Sequence, residues 1–426
     1  MTRVLFQVRP NYAEQSGGDT VHAVRTAEEL REIGVEADVS GGLAPDLSAY
    51  DVVHLFNTEL VEPTFRHTLR ARAAGVPIVL TPIFWRPPLE DDSFTAVDRA
   101  NLARRDEVMR HAVFGVVDAL TPPSQAELDG IVARYPASPL TRTVVPVGVD
   151  PAYRTGDGQR FCARHGLPLR GFVLCVGRIE ERKNQLRLIE ACTTLDVPVV
   201  LIGAVYEDRQ EYDTDCRALA ERLGADVRFL SFLTTEEVVD AYAAARVHVL
   251  PSLWETIGLS SLEAAAAGCT VVSTSNCGVR EYLGDDAWYC DPESVESIRA
   301  AVEAAVLAPV TDALGSRVTA DFGWARAAET LVPVYEAVMR RAGERSGIEP
   351  EWRASLTPEQ YIDHLESLIQ LQLETIALRD GHYAAVRESA ETAIEYARSL
   401  EAERERLREQ APETSASSRL RFRRRR

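Results

Sequence analysis

The chain has 426 residues, 46% of them hydrophobic, which is enough to bury the cores of two or three domains. No apolar run approaches the roughly 18 residues of a membrane span, and the start, MTRVLFQVRP, reads as a β-strand without the apolar region of a signal peptide. The formal net charge of −18 argues against general nucleic-acid binding. Seven cysteines between 162 and 290 have no metal-like spacing, so we expect reduced thiols in a cytoplasmic protein.

Residues 1–150 alternate short apolar runs with helical patterns. The strand RVLFQV leads into the glycine loop and helix QSGGDTVHAVRTAEELREIG, where Asp19 or Thr20 is expected to be the N-cap and Gly34 to lie at the end. Further strands are predicted at ADVSG, DVVHLF, PIVLTP, FGVVDALTP and RTVVPVG. This pattern predicts an N-terminal Rossmann-like domain with a parallel sheet covered on both faces.

The stretch GVDPAYRTGDGQR at 148–160 is polar and glycine-rich, which favours a linker. The alternation then restarts, with strands predicted at FVLCVGR, PVVLIG, VRFLSF, VHVLPS and TVVSTS and helices between them. The amphipathic helix GWARAAETLVPVYEAVMRRAG closes the pattern. Residues 151–345 are therefore predicted to form a second doubly wound domain.

The pattern changes again beyond the second domain. Between 361 and 407 a seven-residue repeat has eleven apolar residues at its fourteen a and d positions, either unbroken or divided into two arms at Gly381. We expect a helical coiled-coil extension over 346–410 that associates with itself or with a partner protein. Residues 411–426 are predicted to be a disordered basic tail ending in RLRFRRRR. Contact with anionic membrane lipid and a purely solubilising role are both open for this tail.

Ligands of doubly wound domains bind at the carboxyl ends of the strands, so the loops after strands carry the candidate sites. Gly17 and Gly18 would let the backbone approach a ligand at a helix start, although such a pair is also common in ordinary loops. Arg178 and Lys183 in VGRIEERKN leave the first strand of the second domain together. Two cations at a cleft mouth suit a diphosphate, and the alternative is a solvated charged loop.

The decapeptide WETIGLSSLE at 254–263 admits two interpretations. Ser260 with Glu263 fits a capping box, serine followed by glutamate three residues later. That interpretation leaves Glu255 unexplained. It also neglects that Gly258, Leu259 and Ser260 would direct N–H groups into the cleft at a helix start, as in an anion site. A carboxylate suits a sugar because it can accept hydrogen bonds from two neighbouring hydroxyl groups.

The segment VHVLPSLWETIGLSSLEAAAAGCTVVSTSNCGVREYL resembles the signature of the retaining GT-B glycosyltransferases of family 4, whose E-x7-E pattern is met by Glu255 and Glu263. VGRIEERKN is similar to the family's G-R-x4-K loop, PVGVDPAYR to its interdomain P-x-G-V-D, and FGWARAAETLVPVYEAV to its closing helix. The likeness covers roughly residues 1–342. It implies the GT-B fold, two Rossmann-like domains that face a cleft.

By this resemblance, Arg178 and Lys183 hold the diphosphate of a nucleotide-sugar donor, and Glu263 holds its ribose hydroxyls. Gly18 approaches the phosphate from the other domain. The transferred sugar would lie against Glu255 and the backbone of the residues that follow it, namely Thr256, Ile257, Gly258, Leu259 and Ser260.

The implied reaction moves a sugar to a hydroxyl of a glycan or lipid-linked acceptor, in cell-surface polysaccharide or glycoconjugate synthesis. The resemblance implies no protein nucleophile. No metal or other cofactor is expected. The enzyme would be cytoplasmic, with contact at the inner membrane face left open. The alternatives are another GT-B activity, such as a nucleotide-sugar epimerase or an α-glucan phosphorylase, and a scaffold protein that uses the coiled coil.

The chain also departs from the family pattern. The histidine that many members carry after the fourth strand is replaced by TPIFWRPP, in which Trp85 could stack on an acceptor sugar or belong to the core. Asn184 follows the lysine where glycine is usual, and E-T-I-G replaces E-G-F-G. The D-x-D at Asp213 and Asp215 resembles a metal motif, but it lies in a polar helix start where an aspartate N-cap is the preferred interpretation.

Overall fold

The computed structural model describes residues 2–345 except 14–16, 43, 85–95, 137, 140, 207–208, 232 and 276–277. Residues 1–344 form one compact unit. The predicted coiled-coil extension and basic tail lie outside the described residues, and so do Trp85 and Arg86. Within the described part of the chain, no helix combines the length and apolar character of a membrane span.

The N-terminal sheet contains β1 (Arg3–Gln7), β2 (Glu36–Ser40), β3 (Val52–Phe56), β4 (Ile78–Thr81), β5 (Ala119–Leu120) and β6 (Thr141–Arg142). All six strands are parallel, in the order β2-β1-β3-β4-β5-β6. Its connecting helices are α1 (Gly18–Glu32), α2 (Val61–Ala74), α3 (Ala96–Val116) and α4 (Gln125–Arg134).

Three local predictions in this domain are wrong, and one of them is the strand at RTVVPVG, of which only Arg142 belongs to a strand, β6. The N-cap of α1 is Gly17, without a side-chain cap, because Asp19 turns its carboxylate to Arg9 instead. The run FGVVDALTP is a strand only at β5, because its first residues continue α3. Met109, Val113 and Val117 recur at four-residue spacing and are all buried, which is a helical periodicity.

The second sheet contains β7 (Val173–Val176), β8 (Val199–Ile202), β9 (Val227–Leu230), β10 (Val247–Leu250), β11 (Thr270–Thr274) and β12 (Trp288–Cys290). Its parallel order is β12-β11-β10-β7-β8-β9. The helices are α5 (Gly158–His165), α6 (Gln185–Cys192), α7 (Gln210–Leu223), α8 (Thr235–Ala244), α9 (Leu259–Ala266), α10 (Val279–Leu283), α11 (Val295–Leu307), α12 (Ala313–Asp321) and α13 (Trp324–Arg345).

The predicted linker at 148–160 is a packed segment. Asp150 caps a 3-10 helix at Pro151–Thr155, and Asp157 caps α5. A Cβ atom at Gly156 would lie 2.5 Å from the carbonyl oxygen of Val239, so this segment lies directly on α8. Glycine is needed here for close packing, and the polar composition does not indicate flexibility.

The closing helix α13 packs against the N-terminal sheet, although the sequence pattern assigned it to the second domain. Ala327, Leu331 and Tyr335 are buried in one cluster with Val4 and Phe56. The Tyr335 hydroxyl lies 2.7 Å from Nδ1 of the buried His54 on β3. The chain therefore returns to its first domain at the end of the compact unit.

Candidate functional site

The order of strands in the second sheet determines where the candidate site lies. β7 is flanked by β10 on one side and β8 on the other, so the chain winds in opposite directions from the boundary between β7 and β10. Loops that leave such a switch point diverge and open a crevice at the carboxyl ends of the strands. The loop after β7 carries Arg178 and Lys183, and the loop after β10 carries Glu255.

Lys183 and Glu255 meet in this crevice. The Lys183 ammonium donates to Glu255 Oε2 at 2.5 Å, and the two side chains are only 11% and 10% exposed. Arg182 Nη1 at 3.4 Å and the Ser252 hydroxyl at 3.3 Å donate to the same oxygen. Burial favours the protonated form of Glu255, but Lys183 and Arg182 outweigh it and lower the pKa of this carboxyl to about 2. Glu255 is therefore ionised at neutral pH.

Lys183 is distinguished by composition as well as by geometry. It is the only lysine among the 47 lysine and arginine residues of the chain. An ammonium is a compact charge that can bind a single carboxylate oxygen in a tight pocket, whereas a guanidinium is a wide planar fork. Burial lowers the pKa of Lys183, and the negative charge of Glu255 opposes this effect. The rarity of lysine was a signal available in the sequence.

Arg178 differs from Lys183 in exposure. Its side chain is 42% exposed, with Nη2 at 3.2 Å from Glu180 and its guanidinium over the Tyr206 ring at 5.8 Å. Arg182, which our sequence interpretation left within the charged loop, links the two predicted cations because it contacts both Glu180 and Glu255. The loop is thus an alternating ion-pair network, and it is not simply solvated.

The structure accounts for Asn184, which stands where the resembled family usually has glycine. Asn184 has a left-handed backbone with φ of +63°, which asparagine tolerates better than most residues. Its Nδ2 donates to the carbonyls of Pro251 at 3.0 Å and Pro292 at 2.7 Å. One side chain thereby ties the loop that carries Lys183 to the segments after β10 and β12.

We expect Asn184→Gly to lower the free energy of unfolding by about 1–3 kcal/mol, because it keeps the backbone conformation but leaves two buried carbonyls unpaired. Asn184→Ala should lower it further, since alanine is strained at this positive φ. Urea denaturation of both variants measures the difference. A glycine variant as stable as the wild type would show that these two hydrogen bonds contribute nothing.

The decapeptide does not form the capping box. The N-cap of α9 is Gly258, with φ of +75°, and no side chain caps the helix. Ile257 is buried in the core, and a Cβ atom at Gly258 would lie 3.4 Å from Glu255 Cγ. Ser261 and Leu262 donate to the Gly258 carbonyl, so the N–H groups of Leu259 and Ser260 precede the first bonds of the helix and keep their partial positive charge.

Glu263 is bound by a residue of a different helix and not by Ser260 of its own helix. Its Oε2 accepts a hydrogen bond of 2.9 Å from the hydroxyl of Tyr242 on α8. A helix start on Gly258 does not place Ser260 at the N-cap, so the reciprocal bond predicted between Ser260 and Glu263 is wrong. Burial raises the pKa of Glu263, and the hydroxyls of Tyr153 and Tyr242 oppose that rise.

The two domains face each other at this helix start. A Cβ atom on Gly18 would lie 3.3 Å from Leu259 Cδ1, so the N-termini of α1 and α9 approach across the cleft. Gly17 is equally confined, because a Cβ atom there would lie 2.8 Å from the Asp19 carboxylate. The predicted site residue Gly18 is therefore brought to the start of α9, whereas Gly17 lies against side chains of its own domain.

The first domain contributes further polar groups at the carboxyl ends of its strands. Asp19 Oδ2 accepts from Arg9 Nε at 3.0 Å and from Asn57 Nδ2 at 3.1 Å. After β4, the Phe84 N–H donates to the buried Glu127 carboxyl at 2.7 Å, and burial raises the pKa of Glu127 to about 8. Sequence reasoning did not identify Glu127, since a glutamate in a first helical turn is ordinary.

The D-x-D motif lies within α7, as the helical pattern indicated, but the N-cap is Arg209 and not an aspartate. Asp213 pairs with Arg217 at 2.8 Å. No group of three or more histidine, cysteine, aspartate or glutamate residues in the described part of the chain is arranged to hold a metal ion. All six cysteines that the structure describes are buried and free.

Part of the chain resembles known proteins. Residues 166–313 match the model of glycosyl transferases group 1. The chain is 30% identical over 299 residues to D-inositol 3-phosphate glycosyltransferase of Salinispora arenicola, covering 62% of this chain and 66% of that relative. It therefore spans slightly less than two thirds of that relative's length.

Solved structures show the same fold. Sucrose-phosphate synthase from Thermosynechococcus elongatus superposes with a TM-score of 0.66 at 16% identity, over 80% of this chain and 100% of that one. HepE of Anabaena in complex with UDP has a TM-score of 0.61 at 17% identity, over 79% of this chain and 100% of its own. The expected GT-B architecture is confirmed, and residues 166–313 are similar to a family of glycosyltransferases.

Proposed function

We propose that this chain is a retaining glycosyltransferase, which moves a sugar from a nucleoside-diphosphate donor to a hydroxyl of a glycan or lipid-linked acceptor. One observation carries the proposal. At the switch point of the second sheet, Lys183 and Glu255 form a buried ion pair beside the open N-terminus of α9. That helix start faces Gly18 of the other domain. Phosphate and sugar can thus be bound side by side between two domains.

The electrostatics of the crevice suit a departing diphosphate. The half-exposed Arg178 guanidinium can bind two phosphate oxygens, and the first N–H groups of α9 and α1 present partial positive charge. Lys183 adds a charge fixed in place by Glu255. Groups positioned in advance stabilise developing negative charge without reorganising during the reaction.

The different roles that we propose for Glu255 and Glu263 follow from their positions. Glu255 lies beside Lys183 and close to the turn at Gly258, where it would accept hydrogen bonds from hydroxyls of the transferred sugar. Glu263, one turn into α9, would accept from the ribose hydroxyls of the nucleotide. The backbone from Thr256 to Ser260 would line the sugar between them.

In the proposed reaction, the bond from the anomeric carbon to the donor phosphate breaks while a bond to the acceptor oxygen forms on the same face. The acceptor proton passes to the departing diphosphate. No protein nucleophile takes part, so catalysis consists of positioning and charge stabilisation as the domains close. The name of the Salinispora arenicola relative supports a hydroxyl acceptor, and the UDP complex of HepE supports a nucleoside-diphosphate product.

The test is a screen of UDP-, GDP- and ADP-linked sugars by thermal shift. A ligand that binds only the native state raises its melting temperature. A donor that stabilises the protein should then be consumed, with slow hydrolysis in the absence of an acceptor and retained anomeric configuration in a transfer product. A chain that neither binds nor consumes any of these donors would contradict the proposal. An inverted product would contradict the retaining mechanism alone.

We further expect donor turnover to persist in excess EDTA, because fixed cations and helix N-termini can take the place of a metal at the diphosphate. The measurement is the rate of donor hydrolysis with and without chelator. Complete loss of activity that manganese or magnesium restores would overturn this expectation. Asp213→Ala would then show whether the D-x-D motif takes part.

A further inference from the structure

Tyr242 binds Glu263, and a second tyrosine, from a different element, packs against Tyr242. Tyr242 of α8 is completely buried, and its hydroxyl donates to Glu263 Oε2 at 2.9 Å. Tyr153, on the 3-10 helix between the domains, packs edge-on against the Tyr242 ring with centroids 5.8 Å apart. Burial and the nearby charge of Glu263 raise the pKa of the Tyr153 phenol. Tyr242 lies outside the stretches that carry the family resemblance, and Tyr153 lies near the end of one of them, PVGVDPAYR.

We propose that Tyr242 and Tyr153 are positioning residues that orient the Glu263 carboxylate toward the ribose hydroxyls of the bound nucleotide. This inference rests on the proposed function. A carboxylate has about four acceptor sites, so a tyrosine that occupies one of them leaves others for two ligand hydroxyls. Holding the carboxylate in one rotamer in advance lowers the entropic cost of binding.

The packing around the interdomain segment explains why Tyr153 lies against Tyr242. Gly156 and Gly158 pack against backbone carbonyl groups of α8, and this close contact brings the 3-10 helix onto α8. Asp150 at the start of this segment accepts from Arg25 of α1 at 2.5 Å. The segment that carries Tyr153 is therefore held against α8 of the second domain and α1 of the first.

The two tyrosines also influence whether Glu263 is ionised. Burial favours its protonated form, and the phenol donors favour its charged form. Removing one donor should raise the pKa of Glu263, so nucleotide affinity should begin to fall at a higher pH as the solution is acidified. Other titratable or charged groups lie around the tyrosines, namely Asp150, Arg25, His248 and Cys269.

The experiment is calorimetric titration of full-length wild type, Tyr242→Phe and Tyr153→Phe between pH 5 and 8. The probe is whichever of UDP, GDP and ADP the wild type binds, together with its 2′,3′-dideoxy analogue. Tyr242→Phe should weaken binding of the natural nucleotide about three- to tenfold and move the acidic limb of the profile upward. Binding of the dideoxy analogue, which has no ribose hydroxyls, should stay unchanged. Tyr153→Phe should act in the same direction with a smaller effect.

Tyr335→Phe is the matched control. It removes the hydroxyl of another fully buried tyrosine, whose partner is His54 in the N-terminal domain. Its binding profile should equal that of the wild type. A Tyr242→Phe profile identical to wild type, or equal losses for both nucleotides, would overturn the positioning role. A wild type that binds none of the three nucleotides would instead contradict the proposed function on which this role rests.

Discussion

Replacing Lys183 by methionine should abolish donor turnover and lower the free energy of unfolding by about 3 kcal/mol. Removing one partner of a buried ion pair leaves the other charge uncompensated in a low dielectric. Glu255 would keep Arg182 and Ser252 as donors, but it would lose its contact at 2.5 Å. Urea denaturation measures the stability loss, and donor hydrolysis measures the turnover.

Three further variants make this result specific to the buried pair. Arg178→Met removes an exposed cation of the same loop, so stability should change by less than about 0.5 kcal/mol while turnover falls. Lys183→Met with Glu255→Gln should regain part of the stability, because the unpaired charge is gone. Lys183→Arg should keep the charge without restoring turnover, since the guanidinium fork does not fit a contact to one oxygen.

The double variant decides the interpretation. If Lys183→Met and Glu255→Gln have additive effects on stability, the two side chains are not coupled and the ion pair is unimportant. If Lys183→Arg restores full turnover, the pocket does not distinguish an ammonium from a guanidinium. The presence of lysine at this one position would then have no explanation in the contact geometry.

Replacing each of the two glutamates of the decapeptide should affect nucleotide binding differently. Glu263→Gln should weaken binding of the free nucleoside diphosphate about ten- to a hundredfold, because a hydrogen bond to a charged group contributes about 1.5–3 kcal/mol. Glu255→Gln should leave that affinity nearly unchanged and reduce turnover, since the transferred sugar is absent from the product. Calorimetric titration with the diphosphate, together with donor hydrolysis, measures both.

Glutamine is the appropriate substitution because it keeps the size of each side chain. It preserves an acceptor for Tyr242 at position 263 and for Lys183 at position 255. Melting temperatures of both variants control for folding. Equal losses of affinity in the two variants, or no loss in Glu263→Gln, would contradict the division between ribose and sugar.

The sequence by itself determined the two doubly wound domains and the loops that carry the site. Strand β8 is a continuous buried apolar run, and β3 is one except for the buried His54, which is a local pattern of parallel sheets covered on both faces. The positions of Arg178, Lys183, Glu255 and Glu263 after such strands followed from the same pattern. The sequence showed that Asn184 departs from the family pattern, but it did not predict the left-handed backbone conformation of Asn184.

Only the tertiary structure decided which of these residues meet. Lys183 and Glu255 are 72 positions apart and become partners because β7 and β10 are neighbours in the sheet. The capping box failed because Gly258 starts α9 in a left-handed conformation, and Glu263 is held by Tyr242 from α8. Helix α13 completes the N-terminal core although it is distant from it along the chain. Periodicity reports local burial, whereas strand order and packing between distant segments decide the partner of each buried charge.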